Sequence, residues 1–329
     1  VGGSGKGMGM SELLKNIDAR TKLAGTNKLE ILLFFLGVDH RTGRRETYGI
    51  NVFKVREVMR TPMITAAPEM PPSVEGMVSL RGALVPVIDL AKYSGISAET
   101  PREIMIVTEY NGHTQGFLVE GVDTILRLDW SKMRVPPEML TAQTGGLVTA
   151  VTELEDNRLV MMMDVEKVLA ETTSIENEIM FRSVVNVDRP DVTVFYCDDS
   201  SVARKQIERT LDAMGVKGVS AVNGRQMWDE MEKVASYAKS VGKPVSSIIN
   251  LLLTDIEMPE MDGYILTKKI KSDPRFANIP VIMHSSLSGM SNQKLGQSVG
   301  VDEYVPKFEP QRLSETLARR LGVDEAVKA

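Results

Sequence analysis

Four runs in the second half of the chain each read as a buried strand that ends in polar residues. They are Val194-Phe195-Tyr196-Cys197-Asp198-Asp199, Leu251-Leu252-Leu253-Thr254-Asp255, Val281-Ile282-Met283-His284-Ser285 and Tyr304-Val305-Pro306-Lys307. In an open parallel sheet the strand ends of one polarity face a single crevice, and ligands bind there. Three carboxylates, a hydroxyl and an ammonium would then meet. Two carboxylates ~4 Å apart repel by about 4 kcal/mol at an effective dielectric of about 20. A hard cation relieves this repulsion. Mg2+ uses one or two carboxylates and keeps waters and a phosphate oxygen. Asp255 is then placed as a nucleophile that forms an acyl phosphate. Ser285 and Lys307 would hold the remaining phosphoryl oxygens, by hydrogen bond and by charge. Taken singly, each group has a plainer role. Asp199-Ser200-Ser201 makes a good helix cap, Lys307 a solvated charge and Ser285 another cap. Polar endings on four strands of one sheet argue for a site.

The elements that must position these groups are legible as an alternation. Strand-like runs at Val192 to Cys197, Val216 to Val222, Ile248 to Thr254, Ile279 to His284 and Val301 to Val305 are separated by helical patterns. Ala203, Ile207, Leu211 and Met214 share one helix face, as do Leu313, Leu317 and Leu321. After the fourth strand the helical pattern is weak and rich in Ser and Gly, from Leu287 to Gly300. This is (βα)5 alternation, and it predicts a doubly wound α/β domain with strand order 2-1-3-4-5. In that order the first and third strands are neighbours, which brings Asp198 and Asp199 beside Asp255.

The first half has another texture. Short strands are expected at Leu29 to Leu36, Tyr48 to Val55, Ala83 to Leu90, Ile104 to Glu109, Thr114 to Val119, Val122 to Leu128, Leu147 to Thr152 and Leu159 to Asp164. Asn111-Gly112 marks a tight hairpin turn. Pro86 places an edge or a bulge in its strand. Many short strands without long helices predict an all-β barrel or sandwich. Ser11 to Leu23 suits an N-terminal helix, and Val165 to Glu171 a helix that closes this half. The divisions expected are 1–9 as a cloning remnant, 10–27 as the N-terminal helix, 28–171 as the β domain, 172–190 as a linker and 191–323 as the α/β domain.

Composition sets limits. A length of 329 residues favours two domains and allows three. A net charge of -5 argues against a general nucleic-acid binder. One cysteine and three histidines leave no internal disulfide and no zinc-type ligand cluster, so a reducing cytoplasm is the expected setting. No apolar run approaches the roughly 20 residues of a membrane-spanning helix.

The string Leu252-Leu253-Thr254-Asp255-Ile256-Glu257-Met258-Pro259-Glu260-Met261-Asp262-Gly263, with the other strand ends, resembles the receiver domain of two-component response regulators. The likeness runs from about Pro190 to Leu321 and implies a flavodoxin-like fold. It implies that Asp255 accepts phosphate from a histidine kinase. Asp198, Asp199, Asp255 and the backbone carbonyl of Glu257 would hold Mg2+. Ser285 and Lys307 would contact the phosphoryl group, and Tyr304 matches the aromatic that turns inward on activation. Phe308 departs from the proline that receivers usually carry after the lysine.

In the first half, Tyr48-Gly49-Ile50, Val55-Arg56-Glu57-Val58, Val119-Glu120-Gly121-Val122 and above all the run from Gly76 to Leu90, with Arg81-Gly82 and Val85-Pro86-Val87-Ile88-Asp89-Leu90, resemble the CheW-like coupling domain. That likeness implies a double SH3-like barrel with Arg81 and Gly82 near a partner-binding surface. A coupling domain followed by a receiver is the arrangement of CheV-type chemotaxis proteins, which Met10-Ser11-Glu12-Leu13-Leu14 also resembles. The implied partners are the histidine kinase CheA, the cytoplasmic tips of chemoreceptors, and CheW. The implied role is that of a non-enzymatic adaptor, recruited to receptor arrays at the membrane and modulated by phosphorylation.

Two other functions remain open at this level. A phosphohydrolase could use Asp255 or the Asp198-Asp199 pair covalently, although dehalogenase-like enzymes need Asp-x-Asp at the first strand, where this chain has adjacent aspartates. A response regulator outside chemotaxis, acting on transcription, would need a helix-turn-helix domain that the pattern does not show. Neither Trp130 nor Trp228 lies in the four site strings. Mg2+ titration should therefore quench tryptophan fluorescence little, and strong quenching would contradict this layout.

Overall fold

The computed structural model describes residues 28–66, 68–97, 100–110, 113–172, 181–286, 296–307 and 309–322. The expected N-terminal helix, the Asn111-Gly112 turn, most of the Leu287 to Gly300 segment, and Phe308 lie outside them. The chain divides into two compact units that part at Thr172 and Thr173.

In the first unit, apolar residues occupy both faces of the central strands, and each face serves a different core. Strand β1 (Lys28–Phe35) pairs antiparallel with β2 (Thr47–Asn51) and with β8 (Gly121–Asp129). Strand β10 (Leu159–Met163) lies parallel to β2 and antiparallel to β9 (Val148–Glu153), giving the order β8-β1-β2-β10-β9. The second sheet has the order β3-β6-β7-β5-β4, from β3 (Val55–Arg60), β4 (Val74–Leu80), β5 (Ala83–Asp89), β6 (Ile104–Tyr110) and β7 (His113–Val119). Leu29, Ile31 and Leu33 of β1 join Trp130, Met133 and Val160 in a cluster private to the first sheet. Leu32 and Phe34 point the other way and meet Ile106, Phe117 and Val119 of the second sheet. Val78, Val85, Val87, Met105 and Leu118 form the private core of that second sheet. A period of two thus yields two small cores and one shared core.

Among the described residues this unit has the α-helices α1 (Leu90–Tyr93), α2 (Glu138–Gln143) and α3 (Val165–Thr172). Lys54 forms an ion pair of 3.0 Å with the buried Glu166 of α3, which ties that helix to the barrels. The expected single strand from Tyr48 to Val55 is in fact broken. The Asn51 side chain accepts the Phe53 N–H, and Val52–Lys54 form a 3-10 turn before β3 starts in a new sheet. The edge or bulge expected at Pro86 is not found in its own strand, since β5 lies between β7 and β4 and the register shift falls between Val74 and Gly76 of β4. Strand β5 pairs with β4 along its length but with β7 only from Val87 onward, so the missing N–H falls on a one-sided stretch.

The second unit is an all-parallel sheet in the order β12-β11-β13-β14-β15, the 2-1-3-4-5 order expected. Its strands are β11 (Thr193–Cys197), β12 (Lys217–Ala221), β13 (Leu251–Thr254), β14 (Val281–Ser285) and β15 (Glu303–Pro306). Between and after them run α4 (Ser201–Met214), α5 (Gly224–Ser240), α6 (Gly263–Ser272) and α7 (Pro310–Arg320). Val194 and Tyr196 face α4 and α7, whereas Phe195 and Cys197 face α5 and α6. Part of the expected linker belongs to this unit. Val187 is buried, its N–H and that of Asp188 both bond to Met214 O, and Val185 N bonds to Ser314 Oγ. Among the described residues no helix is long and apolar enough to cross a membrane.

Candidate functional site: an acidic crevice at the strand ends

Strand β11 ends at Cys197, and the chain turns out of the sheet through Asp198 and Asp199. The helix cap anticipated here falls to Ser200, whose Oγ accepts the Ala203 N–H at the start of α4. The two aspartates are thus left to the crevice. Asp198 is fully buried, and its Oδ1 accepts the Ser200 N–H at 2.9 Å. On the neighbouring strand, Asp255 follows Thr254, takes a backbone hydrogen bond from its own N–H to Cys197 O, and uses Oδ1 to accept the Ile256 N–H at 2.7 Å. Across the crevice, β15 delivers Lys307. Its Nζ lies 2.9 Å from Asp198 Oδ2 and 2.9 Å from Asp255 Oδ2, and the residue is 1% exposed.

Asp198, Asp199 and Asp255 can each offer one oxygen such that all lie within 4.8 Å of one another. Ligands on opposite sides of an octahedral Mg2+ stand about 4.2 Å apart at the usual bond length. The 4.8 Å limit is slightly wider than that span, so it is the donor set, three hard carboxylate oxygens at one crevice, that fits a divalent cation. Charge makes the same point: three carboxylates face one ammonium in a largely buried pocket, and a further cation relieves the excess.

The remaining anticipated residues fall around this centre. Ser285, buried, ends β14 opposite Pro306, and its carbonyl accepts the Lys307 N–H at 3.3 Å. Glu257 lies two residues past Asp255, partly buried, in the loop that leads to Asp262, the cap of α6. Tyr304 stands one strand over from Met283 and packs with Ile256 and Tyr264. A Cβ built on Gly296 would lie 1.8 Å from the Tyr304 hydroxyl, so that ring occupies the space glycine leaves. Burial raises the Tyr304 hydroxyl above the usual tyrosine range, opposed by hydrogen bonds with Tyr264 and the Gly296 backbone. Burial likewise pushes the Cys197 thiol up, which makes it inert beside the aspartates. Arg81 and Gly82 lie in the first unit, far along the chain from this chemistry. They form the two-residue turn between β4 and β5, with φ of 49° and 85°. Both values are left-handed, as this type of hairpin turn demands, and an arginine adopts the first at a cost. Its guanidinium, largely exposed, pairs with Glu57 at 2.9 Å.

Two residues at the crevice were not singled out from the sequence for the work they do there. Gly263 is the first residue of α6, and a Cβ on it would stand 2.0 Å from the Asp255 carbonyl oxygen. The Met-Asp-Gly string carried that signal, since a glycine opening a helix marks close backbone approach. Arg204, one turn into α4, gives Nη1–H bonds to the carbonyls of Asp198 and Asp199. Gly263→Ala must displace the Asp255 loop. It should lower stability by about 1–3 kcal/mol in chemical denaturation and weaken Mg2+ binding in calorimetric titration. Unchanged values in both would show that the close contact does not constrain the loop.

Residues 37–173 match the CheW-like domain family, and residues 194–318 match the response regulator receiver domain family. Chemotaxis protein CheV3 of Helicobacter pylori is 31% identical over 280 residues, which cover 83% of this chain and 88% of that protein. Chemotaxis protein CheY1 of the same species is 35% identical over 130 residues, 39% of this chain and 95% of the relative. Chemotaxis protein CheW of Klebsiella aerogenes is 32% identical over 154 residues, 46% of this chain and 87% of the relative. With a CheW-like domain, a receiver domain, and a match to CheV3 along most of both lengths, the chain belongs to the CheV family of chemotaxis proteins.

Proposed function

We propose that this protein is a cytoplasmic adaptor that couples chemoreceptors to the histidine kinase CheA, with the coupling tuned by phosphorylation of Asp255. The observation that carries the reading is the placement of Lys307 Nζ at 2.9 Å from both Asp198 and Asp255, with Asp199 within ligand distance of the same centre. A divalent cation held by Asp198, Asp199, Asp255 and the Glu257 carbonyl would neutralise charge on an incoming phosphoryl group. An Asp255 carboxylate oxygen attacks the phosphorus of a phosphohistidine. The P–O bond forms as the P–N bond breaks, and the departing imidazole keeps its electron pair and takes a proton. Lys307 and Ser285 supply a charge and a hydroxyl to the transferred group. The product adds about -1.5 to -2 of charge to an acidic pocket. Lys307 must then divide its attention between the new oxygens and Asp198, which gives β15 and Tyr304 a reason to shift.

The first unit supplies the adaptor surface. Arg81 sits in a strained turn with its guanidinium exposed, and Leu84, two residues past that turn, is 72% exposed. An arginine beside an apolar side chain is a common interface anchor. The protein binds and switches, as an adaptation device, a sink for kinase phosphate, or both, rather than turning over a substrate.

Asp255→Asn should abolish acid-labile labelling by a phosphohistidine donor, and retained labelling would sink the assignment. Co-sedimentation with receptor-bearing membranes and kinase, with and without acetyl phosphate, tests the coupling. The wild-type chain should sediment to different extents in the two conditions, and Asp255→Asn should not. Arg81→Asn suits the left-handed turn, so it should keep stability while lowering the amount sedimented. Equal sedimentation would remove Arg81 from the partner surface.

A further inference from the structure

A cation one turn into a helix sits at the wrong end of the macrodipole. The first turn of α4 has no acidic residue to offset it, yet Arg204 stands there half-buried. What holds it is the backbone of the acidic loop. Arg204 Nη1 lies 2.6 Å from the Asp198 carbonyl oxygen and 3.0 Å from the Asp199 carbonyl oxygen. One nitrogen with two hydrogens thus gathers two successive carbonyls.

The direction of a carbonyl sets ψ, and ψ of one residue sets how its side chain stands against the next peptide. Turning both carbonyls toward α4 fixes the two peptides from which the Asp198 and Asp199 side chains project. Asp198 has further anchors, in the Ser200 N–H and in Lys307. Asp199 is the more exposed of the three carboxylates. Its neighbourhood is also the stretch where the chain has left the sheet, so ladder hydrogen bonds no longer define it. The guanidinium also places a positive charge beside the aspartates. Its hydrogen bonds go to the Asp198 and Asp199 carbonyls, so it offsets the repulsion of the carboxylates from behind their ligand atoms.

We infer that Arg204 is a positioning residue of the cation site, clamping the Asp198–Asp199 backbone so that both carboxylates are preset for a divalent cation. The inference rests on the reading of the crevice as a cation-dependent phosphoacceptor site. Groups that orient metal ligands from behind change affinity by roughly 10–100-fold when removed.

The test uses the full chain, with Mg2+ as the probe in calorimetric titration and acetyl phosphate as the phosphodonor. Arg204→Met keeps an apolar stem and removes the clamp. It should raise the Mg2+ dissociation constant by roughly 10-fold or more. Acid-labile labelling should return to the wild-type rate once Mg2+ is saturating. Arg204→Lys retains a donor and the charge, and should recover part of the affinity. Wild-type Mg2+ affinity in Arg204→Met would overturn the inference. So would labelling that stays low at saturating Mg2+ with a lowered melting temperature, because that pattern belongs to a residue that only supports the fold. A wild-type chain that binds Mg2+ but is not labelled would overturn the phosphoacceptor reading alone, since the clamp is judged on Mg2+ affinity. A wild-type chain that binds no Mg2+ would overturn both.

Discussion

One ammonium holds the crevice together. Lys307 is 1% exposed and reaches Asp198 from β11 and Asp255 from β13, although its own strand, β15, lies two places beyond β13 in the sheet. A buried lysine is tolerable only when paired, and paired carboxylates are tolerable only when neutralised. Neither condition is met by one strand alone. The contact therefore requires that the whole parallel sheet be assembled in the right order, with β14 between. It also sets the charge balance of the pocket: three acids face the Lys307 ammonium, with the Arg204 guanidinium behind them, and the remaining excess of negative charge is one that a divalent ion relieves. The same grip makes the site sensitive to modification. Any group added to Asp255 competes for the ammonium that β15 carries.

The two units solve different physical problems. In the receiver, groups distant in sequence are brought together by strand ends of one polarity, and function concentrates in a pocket. In the CheW-like unit the buried polar groups, such as Asp89 and Glu166, serve caps and ion pairs of the fold, and the distinctive surface feature is a strained two-residue turn. Arg81 adopts a φ of 49°, where asparagine or glycine would be at ease. The surrounding ladder of β4 and β5 maintains that strain, and the Arg81 guanidinium is held by Glu57.

Much of this was legible in the residues, and the reasons for the rest are local. The order 2-1-3-4-5 and the convergence of Asp198, Asp199, Asp255 and Lys307 followed from apolar runs with polar endings, because a fully buried parallel strand has no other place for a charge. The break after Asn51 was not legible. Ile50 and Val52 keep strand periodicity, and only the Asn51 side-chain bond to Phe53 N turns the chain into another sheet. The strand over Val55–Arg60 was missed for a related reason: Arg56, Glu57 and Arg60 mask its pattern. Residues 184–188 read as linker because a segment that docks by backbone bonds to Met214 has no periodicity to show. Arg204 was passed over because an arginine on a helix is ordinary until its carbonyl partners are seen.

The sheet order of the first unit has a further consequence, for the route by which the chain reaches its native state. Strands β3 to β7 form one sheet from a single uninterrupted stretch, Val55 to Val119. The other sheet is split around it, since β1 and β2 must await β8 on one side and β10 on the other. Contacts between near neighbours in sequence close at lower entropic cost than distant ones. The nested sheet is therefore the one whose pairings close at lower entropic cost, and the outer sheet the one whose last partner comes late in the chain.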